Sequence, residues 1–380
     1  MKQEEALGST FMKNIRIGIV GLGNMGRGHA QNILNHKVPG LELTAVTDAI
    51  SPAPGVVPGE LFVPTVEGMI ASGKIDALLI ATPHYSHTTI GLAALQAGLH
   101  VVMEKPISVH KADGERLVAA HTNPRQVFAA MFNQRTDPYY QKIREMVRDG
   151  TLGPVRRIGW IITNWFRSEA YYASGSWRAT WAGEGGGILL NQCPHNLDLY
   201  SWIFGQPKRV RAFCRFGQYH DIEVEDDVTA YLEHDNGATA TFIATTGEAP
   251  GTNRLEVAAD NGRLVMENDK VVFTQNEIPT SEFNRTTKEM FAAPKTVEHV
   301  FTFPDHGEQH VGILRNFVEA VTEGKPLLAP VAEGILSVEL ANAMLLSTFE
   351  DCAIDLPLDG AAYEKALQAR IAASPRTRPA

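Results

Sequence analysis

The sequence predicts an α/β protein whose first third is a doubly wound parallel sheet, and three observations carry that prediction. Apolar runs of strand length alternate with helical segments up to about residue 135. The first run leads directly into a glycine turn and a helix. The chain has 380 residues, 44% of them hydrophobic, enough for a substantial core in two domains or one large one.

Taken in order, the polar start MKQEEALGST lacks the apolar segment of a secretion signal and is expected to fray. IRIGIV (15–20) reads as a buried strand, followed by GLGNMG and a helix through Ile33. Gly21, Gly23 and Gly26 have the G-x-G-x-x-G spacing: one glycine for the tight turn, one for close approach to a pyrophosphate, one for packing helix on strand. Asn24 and Met25 lie between them, at the helix N-terminus that would face the phosphates. The strand LELTAVTD (41–48) ends in Asp48, 22 positions after Gly26, where an acidic side chain would hold the adenosine ribose hydroxyls. Asp48 would repel a ribose phosphate, and AISPAPGVVPGE after it has no Lys or Arg to hold one, so NAD is expected over NADP. The plain alternative for Asp48 is a turn-initiating residue after a strand.

DALLIATP (76–83) is a further buried strand ending in Thr82 and Pro83, and SHTTIGLAALQAG (86–98) reads as a helix stopped by Gly98. His84 and His87 at its start lack a third ligand nearby, so a metal pair is not expected; they read as solvent-facing residues or cofactor neighbours. In HVVMEKP a short strand delivers Glu104, Lys105 and Pro106 to its carboxyl end, where open parallel sheets bind ligands. A helix over 111–120 and a strand over 126–135 complete the alternation.

The densest chemistry is GGGILLNQCPHNLD (185–198). A helix starting near Asn191 would put Asn191, His195 and Asp198 on one face, with Pro194 tolerated in the first turn. The bland reading is an Asn cap and a buried core histidine. Asp198 either orients His195 or turns into the domain, and Cys193 reads as a packing residue.

These motifs resemble the Gfo/Idh/MocA oxidoreductases, which are largely sugar and cyclitol dehydrogenases. The resemblance runs over nearly the whole chain and rests on GIVGLGNMG, Asp48, ATP with the following His, EKP, FNQR (132–135, containing Asn133), SWR (176–178), GGG...H..D, and the late EGILSVELANAMLLS (333–347). It implies a Rossmann domain, set at 1–134, and a substrate-binding and oligomerisation domain, set at 135–380, with a large open, mostly antiparallel sheet that mediates dimers or tetramers. It further implies that Lys105 and His195 flank a nicotinamide, that Trp177 and Arg178 contact the cofactor as Asn133 does, and that Tyr171 and Tyr172 form a substrate-side loop. Many members carry Asp where this chain has Asn191, and an amide cannot take up a proton as a carboxylate can. Asn191 would then orient substrate, leaving acid and base work to His195 and Lys105.

In the second domain a helix is expected over 137–153, a long strand over 155–166, and strands over 209–216, 227–234, 238–246, 253–260 and 262–268. Trp160 and Trp202 are assigned to packing, while the other aromatic and Arg side chains around 165–181 suit a sugar's C–H faces and hydroxyls. His306 and His310 bracket Glu308, but the order and ligand number do not make a zinc site. SPRTRPA closes the sequence as a polar tail.

A net charge of −9, a pI near 5.8 and no Lys/Arg stripe weigh against nucleic-acid or anionic-membrane partners. No apolar run approaches the roughly 20 residues of a membrane span. Three scattered cysteines favour a reducing compartment, hence the cytoplasm. The expected reaction is NAD-dependent hydride transfer at a carbohydrate or cyclitol hydroxyl carbon. The rivals are a redox-neutral enzyme that oxidises a glycoside transiently, a reductase running the same step in reverse, and a non-catalytic NAD sensor.

Overall fold

The computed structural model describes residues 14–49 and 55–375. The polar start expected to fray, residues 50–54 and the last residues of SPRTRPA therefore lie outside the described residues.

The first layer is a five-stranded sheet in the order β2-β1-β3-β4-β5, every pair parallel. Its strands are β1 (Ile15–Val20), β2 (Leu41–Thr47), β3 (Ala77–Ile80), β4 (His100–Met103) and β5 (Phe128–Ala130). Helices α1 (Asn24–Leu34), α2 (Val66–Ala71), α3 (His84–Gln96) and α4 (Lys111–Ala120) connect them. β3 is ALLI, buried at all four positions, as a central strand covered on both faces requires. The chain reverses direction of winding between β1 and β3, so the carboxyl ends of these strands open the crevice where ligands of such sheets bind.

The expected strand over 126–135 is only three residues long. Phe132 then turns the chain into a 3-10 segment, Asn133–Thr136, and Pro138 opens α5 (Pro138–Arg148). The missing proline N–H suits a first helical turn and cannot serve a strand.

The second layer is a nine-stranded sheet, β13-β12-β11-β10-β6-β9-β8-β7-β14. Its strands are β6 (Val155–Ile162), β7 (Arg209–Phe216), β8 (Glu225–Glu233), β9 (Thr239–Thr245), β10 (Asn253–Ala259), β11 (Gly262–Glu267), β12 (Lys270–Asn276), β13 (Thr296–Thr302) and β14 (Ile354–Asp355). All neighbours are antiparallel except β6 and β9. β6 to β11 lie where the sequence predicts strands, and the last three strands are additional; β13 TVEHVFT is largely exposed and so carries no inward apolar row.

Inserted helices are α6 (Glu169–Tyr172), α7 (Pro194–Phe204), α8 (Thr280–Thr286), α9 (Gln309–Glu323), α10 (Val331–Phe349) and α11 (Gly360–Ala373). One sheet face packs on α7 and α10, and Trp160 and Trp202 are buried there as expected. The 19-residue α10 has the length and apolarity of a membrane span, yet 72% of that window is buried inside the protein, so its apolar surface is used by the core. Arg135 ties the layers together. Its guanidinium makes two bonds to Asp198 on α7, at 2.8 and 2.6 Å, and one to Glu333 on α10, at 2.5 Å.

Candidate active site

The crevice begins at the turn after β1. Gly21 has φ +90°, and a Cβ there would lie 2.6 Å from the Ala81 carbonyl oxygen. A Cβ on Gly26 would lie 1.8 Å from the Gly21 carbonyl oxygen, which is why α1 can sit against the turn only with glycine there. A Cβ on Gly23 would meet nothing within 4 Å. That open glycine caps α1 without a side chain, and no acidic residue stands in the first turn, so the free N–H groups beside exposed Asn24 and Met25 form an anion cradle. Asp48, just beyond β2, accepts a hydrogen bond from Leu22 N and so sits beside the cradle. These features fit an adenine dinucleotide: a backbone cradle for pyrophosphate and a carboxylate for the ribose.

Next along the crevice come the ends of β3 and β4. Thr82 Oγ1 is buried with no protein partner, and Pro83 caps α3. His87 is fully buried between the carbonyl oxygens of Pro106 and Thr82, 2.8 Å from each, and so clamps the ATP turn to the EKP turn from behind. His84 lies 3.1 Å from the Glu184 carbonyl oxygen and edge-on to Trp177. Burial, reinforced by His87, pushes its pKa down to about 3 and keeps the ring neutral. Glu104 receives a hydrogen bond from His29 at 2.7 Å. Although burial pushes its carboxyl up, that bond and the charges of His29, Lys105 and His310 hold it at about 2.

Lys105 reaches across to the other layer, where its Nζ donates to the Asn191 carbonyl oxygen at 2.9 Å. Burial lowers its pKa, while Glu104 and Glu184 act in the opposite sense. His195 is buried, with Nδ1 lacking any protein partner, and its ring stands edge-on to Phe132. Burial, then the charge of Lys105, pushes its pKa well down, so the ring is a neutral acceptor. The helix carrying it starts at Pro194, three residues later than the sequence predicts. Asn191 is in the preceding turn, its N–H donating to Gly187 O at 2.9 Å, so it does not share a helix face with His195. Asp198 is turned away to Arg135 and does not orient His195. Cys193 is fully buried, and burial pushes its thiol pKa up, consistent with packing.

The outer wall is the segment 165–184. Arg178 donates to the Tyr171 hydroxyl at 2.9 Å and lies over the rings of Tyr171 and Trp177. Tyr171 in turn donates to Asn191 Oδ1 at 3.4 Å. Tyr172 faces the scaffold instead, 2.8 Å from Thr246 Oγ1 and tilted against the His220 ring, and Asn133 donates to Gln309. Two buried carboxylates were missed in the sequence. Glu184 accepts from Asn191 Nδ2 and from Ala179 N. Glu225 accepts from Gly187 N at 2.9 Å and Leu189 N at 3.0 Å and so shapes the glycine run; a Cβ on Gly187 would lie 2.0 Å from the Glu225 carbonyl oxygen. The only signal for Glu184 was an acidic residue directly before three glycines.

A dinucleotide cradle at one end and a buried Lys, His and amide at the other define a nicotinamide-dependent oxidoreductase. Comparison with known families agrees. The chain belongs to the GFO/IDH/MocA family: residues 15–132 match the model described as "Oxidoreductase family, NAD-binding Rossmann fold", and residues 140–265 match the "GFO/IDH/MocA C-terminal domain". It is an NAD-dependent enzyme of that family. It is 25% identical to inositol 2-dehydrogenase of Rhizobium meliloti, over 88% of this chain and 97% of that protein. It is 22% identical to levoglucosan dehydrogenase of Pseudarthrobacter phenanthrenivorans, over 91% and 99%. Its fold is similar to that of the WlbA dehydrogenase from Bordetella pertussis in complex with NADH and UDP-GlcNAcA, with a TM-score of 0.75 at 24% identity, covering 91% of this chain and 100% of that one.

Proposed function

We propose that the enzyme oxidises a secondary hydroxyl carbon of a cyclitol or sugar, with Lys105 and His195 at the reacting group. The observation that carries this is a pair of titratable side chains brought together from the two layers: Lys105, anchored to Asn191, and His195, whose Nδ1 has no protein partner. A neutral imidazole that is not tied up by the protein keeps an acceptor nitrogen for a substrate hydroxyl. Bound NAD supplies the two-electron acceptor for the hydride that leaves the carbon. His195, neutral because it is buried, takes the hydroxyl proton. The Lys105 ammonium donates to the oxygen as it becomes a carbonyl. Tyr171, Arg178 and the Asn191 amide orient the other hydroxyls. Asn24, Met25, Asp48, Thr82, Glu104 and Trp177 line the cofactor's path. The names of the inositol and levoglucosan dehydrogenases support this substrate class.

The enzyme acts in the cytoplasm as a homodimer or homotetramer in this reading. Support comes from three free cysteines and from the outer face of the nine-stranded sheet, where Ile161, Phe213, Tyr231 and Val300 are exposed. The decisive assay incubates purified protein with NAD and a panel of inositols, sugars and glycosides, following NADH absorbance and products together. Net NADH with a keto product is expected. Product without net NADH replaces this reading with redox-neutral chemistry through a transient ketone.

A further inference from the structure

Glu184 is 2% exposed, and both of its carboxylate oxygens are engaged. Oε2 accepts from Ala179 N at 2.6 Å, and Oε1 accepts from the Asn191 amide. On the far side of that amide, Asn191 Oδ1 accepts from the Tyr171 hydroxyl at 3.4 Å. The same hydroxyl accepts from Arg178 at 2.9 Å and from Gln192 at 3.3 Å. Arg178, Tyr171, Asn191 and Glu184 thus form one chain of hydrogen bonds. A guanidinium can only donate and an ionised carboxylate can only accept, so the two ends impose one direction on everything between them. The Asn191 NH2 must face Glu184, and its carbonyl oxygen must face Tyr171.

We propose that Glu184 is a positioning residue for the hydride transfer assigned above: its carboxylate fixes the orientation of the Asn191 amide, and through it the Tyr171 hydroxyl, beside Lys105. The inference rests on that functional reading of the same cleft. A packing role alone would be met by a neutral residue, since a buried carboxylate carries a desolvation penalty. The charges around it come from several elements. Lys105 after β4 and Arg178 in the outer wall favour the ionised form. Glu225 on β8 opposes it, and His84 on α3 and Tyr172 on α6 complete the neighbours. Burial prevails and pushes the carboxyl up to about 7. Above that pH the chain has its single direction. Below it the Glu184 hydroxyl can donate, and the Asn191 amide is released from the constraint.

The informative variant is Glu184→Gln, which keeps shape and removes charge. Its amide cannot accept from Asn191 and from Ala179 at once, so one contact becomes donor against donor. With myo-inositol and NAD, or the first panel compound that yields NADH, kcat is expected to fall about tenfold or more. The KM for NAD changes less than about threefold, because the cofactor cradle is untouched. The inflection near pH 7 in kcat/KM disappears, and Glu184→Asp brings it back. Thermal unfolding and NADH fluorescence titration show whether the variant is folded and loaded. A second measurement needs neither substrate nor variant turnover. The Asn191 side-chain amide resonances of 15N-labelled wild-type protein, assigned by their loss in Asn191→Asp, should titrate near pH 7. If no panel compound is oxidised, the functional reading fails while this titration still tests Glu184. Amide resonances that do not titrate, or a folded Glu184→Gln with parental kcat and pH profile, overturn the proposal.

Discussion

At the scale of single residues, the cleft is governed by burial. Lys105 and His195 are both pushed toward their neutral forms by desolvation, and His195 lies in the field of Lys105. Lys105→Ala and His195→Ala should each lower kcat about a hundredfold or more, while NADH binding, followed by fluorescence, stays within about threefold. Turnover within about threefold of the parent in both variants would remove them from the mechanism. Both residues were legible in the sequence because each sits in a motif, EKP or the glycine-led H..D. Glu184 was not, because a single acidic residue beside glycines has no distinguishing neighbours along the chain. Its partners come from positions 171–191, folded back on themselves, and from Lys105 on the other layer. Asp198 shows the converse: spacing placed it near His195, and the guanidinium of Arg135, 63 positions away, claims it.

At the scale of elements, the three fingerprint glycines do different work and should respond differently to one methyl group. Gly26→Ala puts a Cβ 1.8 Å from a backbone oxygen, so α1 must move off the sheet. That variant should lose several degrees of Tm as well as cofactor binding. Gly23→Ala meets only open space, so its Tm should stay within about two degrees while NADH affinity falls about tenfold, because the methyl group fills the cradle. Unchanged NADH binding by a folded Gly23→Ala would show that the cradle lies elsewhere. The α7 start teaches a related point. The sequence predicts a helix from Asn191, but Gly187 packs against the backbone of Glu225 and holds residues 187–193 in a separate turn, leaving Pro194 to open the helix.

At the scale of the whole molecule, the buried ionisable groups set a pH window for stability. Glu184 and Glu225 are both pushed up to about 7, so from about 4.5 to 7 the folded chain keeps protons that the unfolded chain releases, and stability falls as pH rises through that range. His84, held at about 3, acts in the other direction: the unfolded imidazole gains a proton near 6.5 that the folded ring refuses, so stability falls as pH drops below that value. Glu104, held at about 2, adds to the acid loss below its ordinary 4.5. Relative to the parent, Glu225→Gln is therefore expected to flatten the fall in Tm between about pH 4.5 and 7, and His84→Phe to lessen the loss of Tm below about pH 6.5. A Tm profile unchanged in both variants across about pH 4 to 7 would contradict the assignment. The sequence by itself determined the strand and helix alternation, the glycine fingerprint and the motifs that carry Lys105 and His195, because hydrophobic period and residue spacing are local properties of the chain. Only the tertiary structure decided that Lys105 crosses to Asn191, that Asp198 serves Arg135, and that Glu184 ends a directed chain from Arg178. The first two join residues far apart in sequence and the third folds positions 171–191 back on themselves, and all depend on which polar groups remain without water once the layers close.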